Sequence, residues 1–142
     1  MEAQQKTTIT VENSIDAPIE KVWDCWTNPK HITEWCFASA DWHSSNATNE
    51  LWVGGRFLTR MEARDGSMGF DFSGIYDSIK LFELITYTLD DGRKVSIHFT
   101  PTDQATKVVE CFEAETENSV ELQKFGWQAI LDQFKKYTEE SI

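Results

Sequence analysis

One acidic residue interrupts an apolar strand pattern near the C-terminal end of the sequence. In the stretch TKVVECFEAE, Val108, Phe112 and Ala114 fall on one face of a strand. The same alternation places Glu110 on that face. A carboxylate in an apolar pocket has a raised pKa because burial disfavours its charged form. Enzymes use such a group as an acid or base, and binding proteins use it to anchor the polar end of a ligand.

The same sequence is also compatible with other orientations of the Glu110 side chain. A β-bulge would turn its side chain outward, and a partner in the core would pair its charge. The opposite register would bury Val109 and Cys111. It would also turn Glu113 and Glu115 inward. The sequence therefore leaves open whether Glu110 faces a cavity.

The remaining chemistry-bearing residues match no common catalytic or metal-binding pattern. Cys25, His31 and Cys36 lack the spacing of zinc sites, and no G-x-S-x-G motif is present. The trio Asp41-Trp42-His43 is compatible with an entrance loop that touches a ligand, or with a surface loop pinned by its tryptophan. We predict no catalytic residue, no metal site and no cofactor.

Composition narrows the class of partner. The 142 residues carry a formal net charge of −11, which disfavours nucleic acid and anionic membrane surfaces as partners. No apolar run is long enough to span a bilayer, so we predict no membrane insertion. The odd number of cysteines, three, and the lack of a signal-peptide pattern predict reduced thiols and a cytoplasmic location. The length predicts one domain over residues 1–142, monomeric or weakly dimeric, with residues 1–6 as a flexible N-terminus.

Periodicity predicts the elements that position these residues. A strand over residues 8–15 is followed by a helix from Pro18 to about Trp26, after Asp16 as a possible cap. A second short helix reaches about Trp35, and a loop continues to Asn49. Turn signals then recur between Leu51 and Glu115 as in an antiparallel meander. Its predicted strands are 56–63, 69–77, 84–89, 93–100 and 106–115.

A long amphipathic helix closes the chain. Asn118 and Glu121 have the spacing of a capping box at its start. Gly126 interrupts the helix, and close approach to the sheet, space for a ligand beside Trp127 or tight packing without a ligand would each explain it. The first of these predicts that Gly126→Leu overpacks the core.

The order of elements and several motifs resemble a known family. IDAPIEKVWDCWTNPKHITEW, VGGRF, DGSMGFDFSGIY, YTLDDGRKVSIHF and GWQAIL occur in the order typical of the activator of heat-shock-protein-90 ATPase homologues, within the START-like helix-grip (SRPBCC) superfamily. The resemblance covers nearly the whole chain and implies an α+β fold, in which a curved antiparallel sheet wraps a long C-terminal helix. It extends only to the C-terminal domain of the co-chaperone that gave the family its name.

The resemblance implies three functional classes. The first is a module that binds an apolar, lipid-like or polyketide-like molecule between sheet and helix. The second is a cyclase or dehydratase in the same cavity, with Glu110 as acid or base, and the third is a chaperone-binding domain. We rank the binding module first, so enzymatic activity is uncertain and less expected.

Strand parity and the implied fold together select the candidate cavity residues. Trp23 and Trp26 lie three apart on the first helix and are predicted to be core. Trp35 and Trp42 lie where the helix-grip arrangement covers one mouth of the cavity. The candidate ligand-binding residues are Trp35, Trp42, Phe57, Met61, Phe70, Phe72, Tyr76, Val95, Ile97, Phe99, Glu110, Phe112, Trp127 and Ile130.

Overall fold

The computed structural model describes residues 7–141, so the predicted flexible segment 1–6 lies outside the described residues. Ten elements follow one another along the chain. They are β1 (Thr8–Ile15), α1 (Ile19–Thr27), α2 (Pro29–Trp35), β2 (Trp42–Asn49), β3 (Arg56–Ala63), β4 (Gly69–Lys80), β5 (Leu84–Leu89), β6 (Lys94–Thr102), β7 (Ala105–Glu113) and α3 (Val120–Glu140).

All seven strands form one antiparallel sheet in the order β1-β7-β6-β5-β4-β3-β2. Strands β2 to β7 form a meander with short loops, and β7 lies beside β1. The sheet twists and curls into a half-barrel, and the inner face of the half-barrel is apolar. This is the helix-grip arrangement, and the predicted α+β fold is confirmed.

The long helix α3 lies along the β1 edge. The Asn13 side chain donates to Asp132 at 2.8 Å, and Lys135 donates to the backbone carbonyl of Ser14 at 2.6 Å. The opposite edge, β2, is held to the short helices, since the Asn49 amide donates to the Thr27 carbonyl at 2.6 Å. Helices therefore cover both edges of the half-barrel and leave a space above its concave face.

The predicted loop from Trp35 to Asn49 is wrong in its second half, which forms strand β2. Most of β2 is small and polar, and its pairing with β3 shifts register between Ser44 and Asn46. The sequence therefore lacks the alternation of apolar residues by which a strand is predicted. Hydrogen bonding to β3 therefore stabilises this strand, although its own residues have little preference for strand structure.

The helix caps also differ from the prediction. Ser119, not Asn118, caps α3, and its hydroxyl accepts the backbone N–H of Leu122 at 3.1 Å. Pro18 occupies the N-cap of α1 without a side-chain cap, so Asp16 is not the cap. Among residues 7–141, no helix combines the length and apolar character needed to cross a membrane.

Candidate functional site

A cavity of about 310 Å³ lies between the concave face of the sheet and the N-terminal half of α3. Its lining comes from α1, α2, β3, β4, β5, β7 and α3, with further residues from the loops at its rim. The C-terminal half of α3 instead packs on the short helices, where Phe134 contacts Trp26 and Trp35 with ring centroids 4.8 Å apart in both pairs. One helix thus closes the core at one end and covers a cavity at the other.

Aromatic rings form one wall of the cavity. Phe57 contacts Tyr76 and Tyr87 with ring centroids 5.3 and 4.6 Å apart. Phe72 contacts Trp127 of α3 at 5.9 Å, edge to face. These rings come from three strands and one helix, so the wall exists only once α3 has docked on the sheet.

Tryptophans of the short helices form the other wall. Trp26 and Trp35 both line the cavity, with ring centroids 5.0 Å apart. Trp35 is buried, and its indole N–H donates to the Cys25 carbonyl at 2.9 Å, which fixes the ring. The prediction that Trp23 is core is confirmed by its burial against Phe99. Trp26 packs on the core and also reaches the cavity.

Glu110 points into the cavity from the centre of β7. Regular pairing places it opposite Val11 on β1 and opposite Ile97 on β6, without a register shift. The side chain lines the cavity and is 5% exposed. Burial raises the pKa of Glu110 from 4.5 to about 8, because apolar neighbours disfavour its charged form. The β-bulge alternative is therefore wrong.

The carboxylate also lacks a partner in the core. Within residues 7–141, no side chain or backbone group makes a hydrogen bond or ion pair with Glu110. Two other buried side chains of the lining, Thr59 and Tyr87, likewise make no side-chain hydrogen bond in the described chain. Among the described residues, Thr138 Oγ1 is the one fully buried side-chain polar atom without a partner, so the polar atoms of Glu110, Thr59 and Tyr87 are open to the cavity and to a ligand or water in it.

Two neighbours respond to the charge of Glu110. Burial raises the pKa of Cys36 to about 12, and the Glu110 carboxylate adds to that shift. Burial and the same carboxylate raise the pKa of Tyr87 well above its ordinary value. A thiol, a phenol and a carboxyl group therefore lie close enough to influence one another inside an apolar space.

The more exposed part of the lining forms a polar rim. The Arg93 guanidinium lies 2.8 Å from the Asp91 carboxylate. The amide of Gln123 holds the loop before α3, since its nitrogen donates to the carbonyls of Glu115 and Asn118 at 3.1 and 2.9 Å. This loop forms part of the rim and is fixed by the first turns of α3.

The fourteen candidate residues divide into two groups. Those that line the cavity are Trp35, Phe57, Met61, Phe70, Phe72, Tyr76, Glu110, Trp127 and Ile130. Those that lie outside the lining are Trp42, Val95, Ile97, Phe99 and Phe112. Phe112 stacks on Trp127 at 3.8 Å and supports it, whereas Trp42 contacts Phe70 at 5.9 Å.

Several lining residues were not among the candidates. Tyr87 could have been found, because strict alternation in β5 places it on one face with Ile85 and Leu89. Thr59 lies between Phe57 and Met61 on the inner face of β3, and the same parity applies. Cys36 and the rim residues Arg93 and Glu115 carry no such signal, because loops and helix ends position them.

Two small residues lie differently from the prediction. A Cβ atom added at Gly126 would have no neighbour within 4 Å, so the explanations by close approach and by tight packing are wrong. Overpacking by Gly126→Leu is therefore no longer expected. Ala114 lies on a separate polar groove with Glu113 and Glu117, outside the cavity.

No cluster of three or more His, Cys, Asp or Glu side chains with metal-binding geometry occurs in residues 7–141. Cys25, Cys36 and Cys111 are free thiols, the first two buried. His31 instead links two helices, with Nδ1 at 2.6 Å from the Tyr137 hydroxyl and Nε2 at 3.2 Å from Asp24. His31 therefore serves helix packing in the described structure.

The fold agrees with comparisons to known proteins. The sequence profile of the family described as Activator of Hsp90 ATPase homolog 1-like protein matches residues 16–139. An AHSA1-like protein from Aeromonas hydrophila is 42% identical over 94% of this chain and 92% of its own, with a TM-score of 0.88. A protein of Cytophaga hutchinsonii is 55% identical over 93% of this chain and 92% of its own, with a TM-score of 0.81.

A protein of Nitrosomonas europaea shares the fold alone, at 19% identity over 94% of each chain and a TM-score of 0.80. No curated protein matches this chain. The chain belongs to the Activator of Hsp90 ATPase homolog 1-like family, within the START-like helix-grip superfamily, as its motifs predicted. The fold is typical of ligand-binding modules.

Proposed function

We propose that this protein binds an apolar small molecule in the cavity between the sheet and α3. The observation that carries the proposal is the cavity itself, about 310 Å³ of space walled by aromatic rings. Protein interiors are packed nearly as densely as organic crystals, so space of this size inside a small domain requires a reason. Ligand sites are typically apolar with a few convergent polar groups, and the unpartnered Thr59, Tyr87 and Glu110 fit that description.

A neutral environment-sensitive dye tests the proposal. Prodan should bind the folded protein at one saturable site, with a blue-shifted emission, because the lining of the cavity is mainly apolar and aromatic. Thr59→Phe adds a ring to the cavity side of β3 and should weaken binding at least about tenfold. Leu58→Phe is the matched control, since Leu58 lies on the other face of the same strand.

Circular dichroism establishes that both variants fold. Non-saturable prodan binding, or equal binding by the wild type and a folded Thr59→Phe variant, would contradict the proposal. Native mass spectrometry of freshly purified protein then asks which molecule stays bound.

The same cavity supports a cyclase or dehydratase as a second candidate. The observation in its favour is the second polar group beside the carboxylate, since Tyr87 shares the electrostatic environment of Glu110. With its pKa raised to about 8, Glu110 holds a proton at neutral pH and is able to donate it to a leaving hydroxyl group. If this protein is an enzyme, it should convert the ligand found by mass spectrometry. The Glu110→Gln variant should then still bind that ligand but no longer convert it.

A chaperone-binding role is the third candidate. It requires an exposed apolar surface, and Leu122 and Phe125, three residues apart on α3, are 57% and 74% exposed. If prodan finds no site and no ligand is released, this role replaces the binding proposal. Co-purification with a chaperone, lost on substitution of both residues by serine, is then its test.

A further inference from the structure

Acidic side chains outnumber basic ones in the lining of the cavity. Two carboxylates, Glu110 and Glu115, belong to the lining described here. The one cationic side chain of that lining, Arg93, is already paired with Asp91 at 2.8 Å. Because Glu110 is buried and has no partner in residues 7–141, its ionised form would have no compensating charge inside the cavity.

The walls are suited to a positive charge as well. Trp26, Trp35 and Trp127 are tryptophans, whose ring faces attract cations more strongly than those of other side chains. Tyr76 and Tyr87 add two further rings to the same lining. An uncompensated carboxylate surrounded by aromatic rings is the combination that binds organic ammonium groups.

We propose that the ligand is an amphipathic amine, whose ammonium group pairs with Glu110 while its apolar body lies among the aromatic rings. This inference rests on the proposed binding function and specifies the chemical class of the ligand. The formal net charge of −11 favours the approach of cations and disfavours that of anions. An anionic ligand would oppose ionisation of Glu110, whereas a cation supplies the counter-charge that the ionised form of this carboxyl group lacks.

Protonation of Glu110 should make the affinity for an amine depend on pH. Burial raises the pKa of Glu110 to about 8, so at pH 6 the free protein carries a protonated carboxyl group there. Binding of an ammonium group favours the ionised form and releases that proton. Amine affinity should therefore rise between pH 6 and 8, by up to about tenfold per pH unit.

The other groups that face Glu110 do not produce this effect. From β5 and the end of α2 these are Tyr87 and Cys36, and burial raises both pKa values, that of Cys36 to about 12. From β1 and β6 the neighbours are Val11 and Ile97, which do not titrate. From α1 and α3 the cavity is lined by the uncharged side chains of Trp26, Gln123, Trp127 and Ile130. From β4 it is lined by Tyr76, whose pKa burial raises further above this pH range. Arg93 and Glu115 lie at the rim, where Arg93 is paired with Asp91.

Three probes of one shape test the inference by displacement of prodan. They are 2-naphthylmethylamine, 2-naphthalenemethanol and 2-naphthoate, which present a cation, a neutral hydroxyl group and an anion on the same ring system. At pH 8 the amine should bind at least about tenfold tighter than the alcohol, and the naphthoate should bind weakest. Glu110→Gln should abolish the preference for the amine, whereas Glu117→Gln, in the exposed loop after β7, should keep it.

Equal affinities of amine and alcohol in the wild type would overturn the inference, as would a preference for the amine that survives Glu110→Gln. In both cases prodan binding itself persists, so the proposed binding function stands. Absence of saturable prodan binding, in contrast, removes the proposed function. The pH profile of the wild type needs no substitution, and an amine affinity that is flat from pH 6 to 8 contradicts the inference even if Glu110→Gln does not fold.

Discussion

Glu110 couples the free energy of unfolding to pH. Below its ordinary pKa of 4.5 the group is protonated in both the folded and the unfolded chain. Between 4.5 and about 8 only the folded chain keeps the proton. Stability from this group is therefore present at low pH and declines by about 1.4 kcal/mol per pH unit as the pH rises through that range.

Chemical denaturation of the wild type and Glu110→Gln at several pH values isolates this contribution. Glu110→Gln keeps the shape of the side chain without the ionisation, so its stability relative to the wild type should rise from pH 5 to pH 8. Glu117→Gln is the control for a general change of charge. A constant difference between wild type and Glu110→Gln across this range would show that the carboxyl group is solvated.

Tyr76 ties the cavity wall to the edge of the sheet. Its hydroxyl donates to the Asn49 side-chain oxygen at 2.6 Å, and the Asn49 amide donates in turn to the Thr27 carbonyl. Tyr76→Phe keeps the ring and leaves the Asn49 oxygen without its donor. We expect a loss of about 1–2 kcal/mol in the free energy of unfolding, measured by urea denaturation. Tyr137→Phe, at a less buried hydroxyl, serves as a comparison and should cost less.

At the scale of single elements, a glycine inside α3 lowers the stability of that helix and is replaceable. Gly126 lies inside the helix, and a Cβ there would meet open space. Gly126→Ala should therefore raise the free energy of unfolding by about 1 kcal/mol, because alanine has less backbone entropy to lose. Gly66→Ala is the opposite control, since Gly66 has φ +78° in a turn and a side chain would be strained there. A destabilised Gly126→Ala would show that the helix packs more closely than described.

Substitutions at the start of α3 test whether Ser119, the observed N-cap, or Asn118, the predicted one, caps the helix. Ser119→Ala removes the acceptor of the Leu122 N–H and should cost about 1 kcal/mol. Asn118→Ala should cost less, because the Asn118 side-chain nitrogen donates to Glu115 in the preceding loop, whereas Ser119 caps the helix. Thermal denaturation of the pair measures the difference, and the reverse order would place the cap at Asn118.

At the scale of the whole molecule, thiol reactivity reports on how the fold opens. Cys25 and Cys36 are buried, whereas Cys111 is partly exposed on the outer face of β7. A chromogenic disulfide reagent should modify one thiol quickly in the folded protein and all three cysteines after denaturation. Fewer than three thiols in the unfolded chain would contradict the prediction that the cysteines are reduced. A saturating ligand should further slow modification of Cys36, which lines the cavity.

Much of the fold is determined by local sequence. The alternation in β3 and β5 predicts both strands with the bounds that the structure shows, and the apolar stripe of α3 predicts the long helix. These signals are local, since a strand with one buried face alternates with period two and an amphipathic helix repeats every 3.6 residues. Strand β2 has no such signal, and only its pairing with β3 makes it a strand.

For the site, the sequence by itself predicted the inward face of the regular strands, but it left the orientation of Glu110 open until the unbroken pairing of β7 placed that side chain inside. Only the tertiary structure decided which inward residues border empty space. Phe57 lines the cavity, whereas Val95 and Phe112 on the same concave face lie outside its lining. Period-two alternation specifies a face of the sheet but not what covers it. That depends on where α1 and α3 dock, through contacts between residues far apart in the chain.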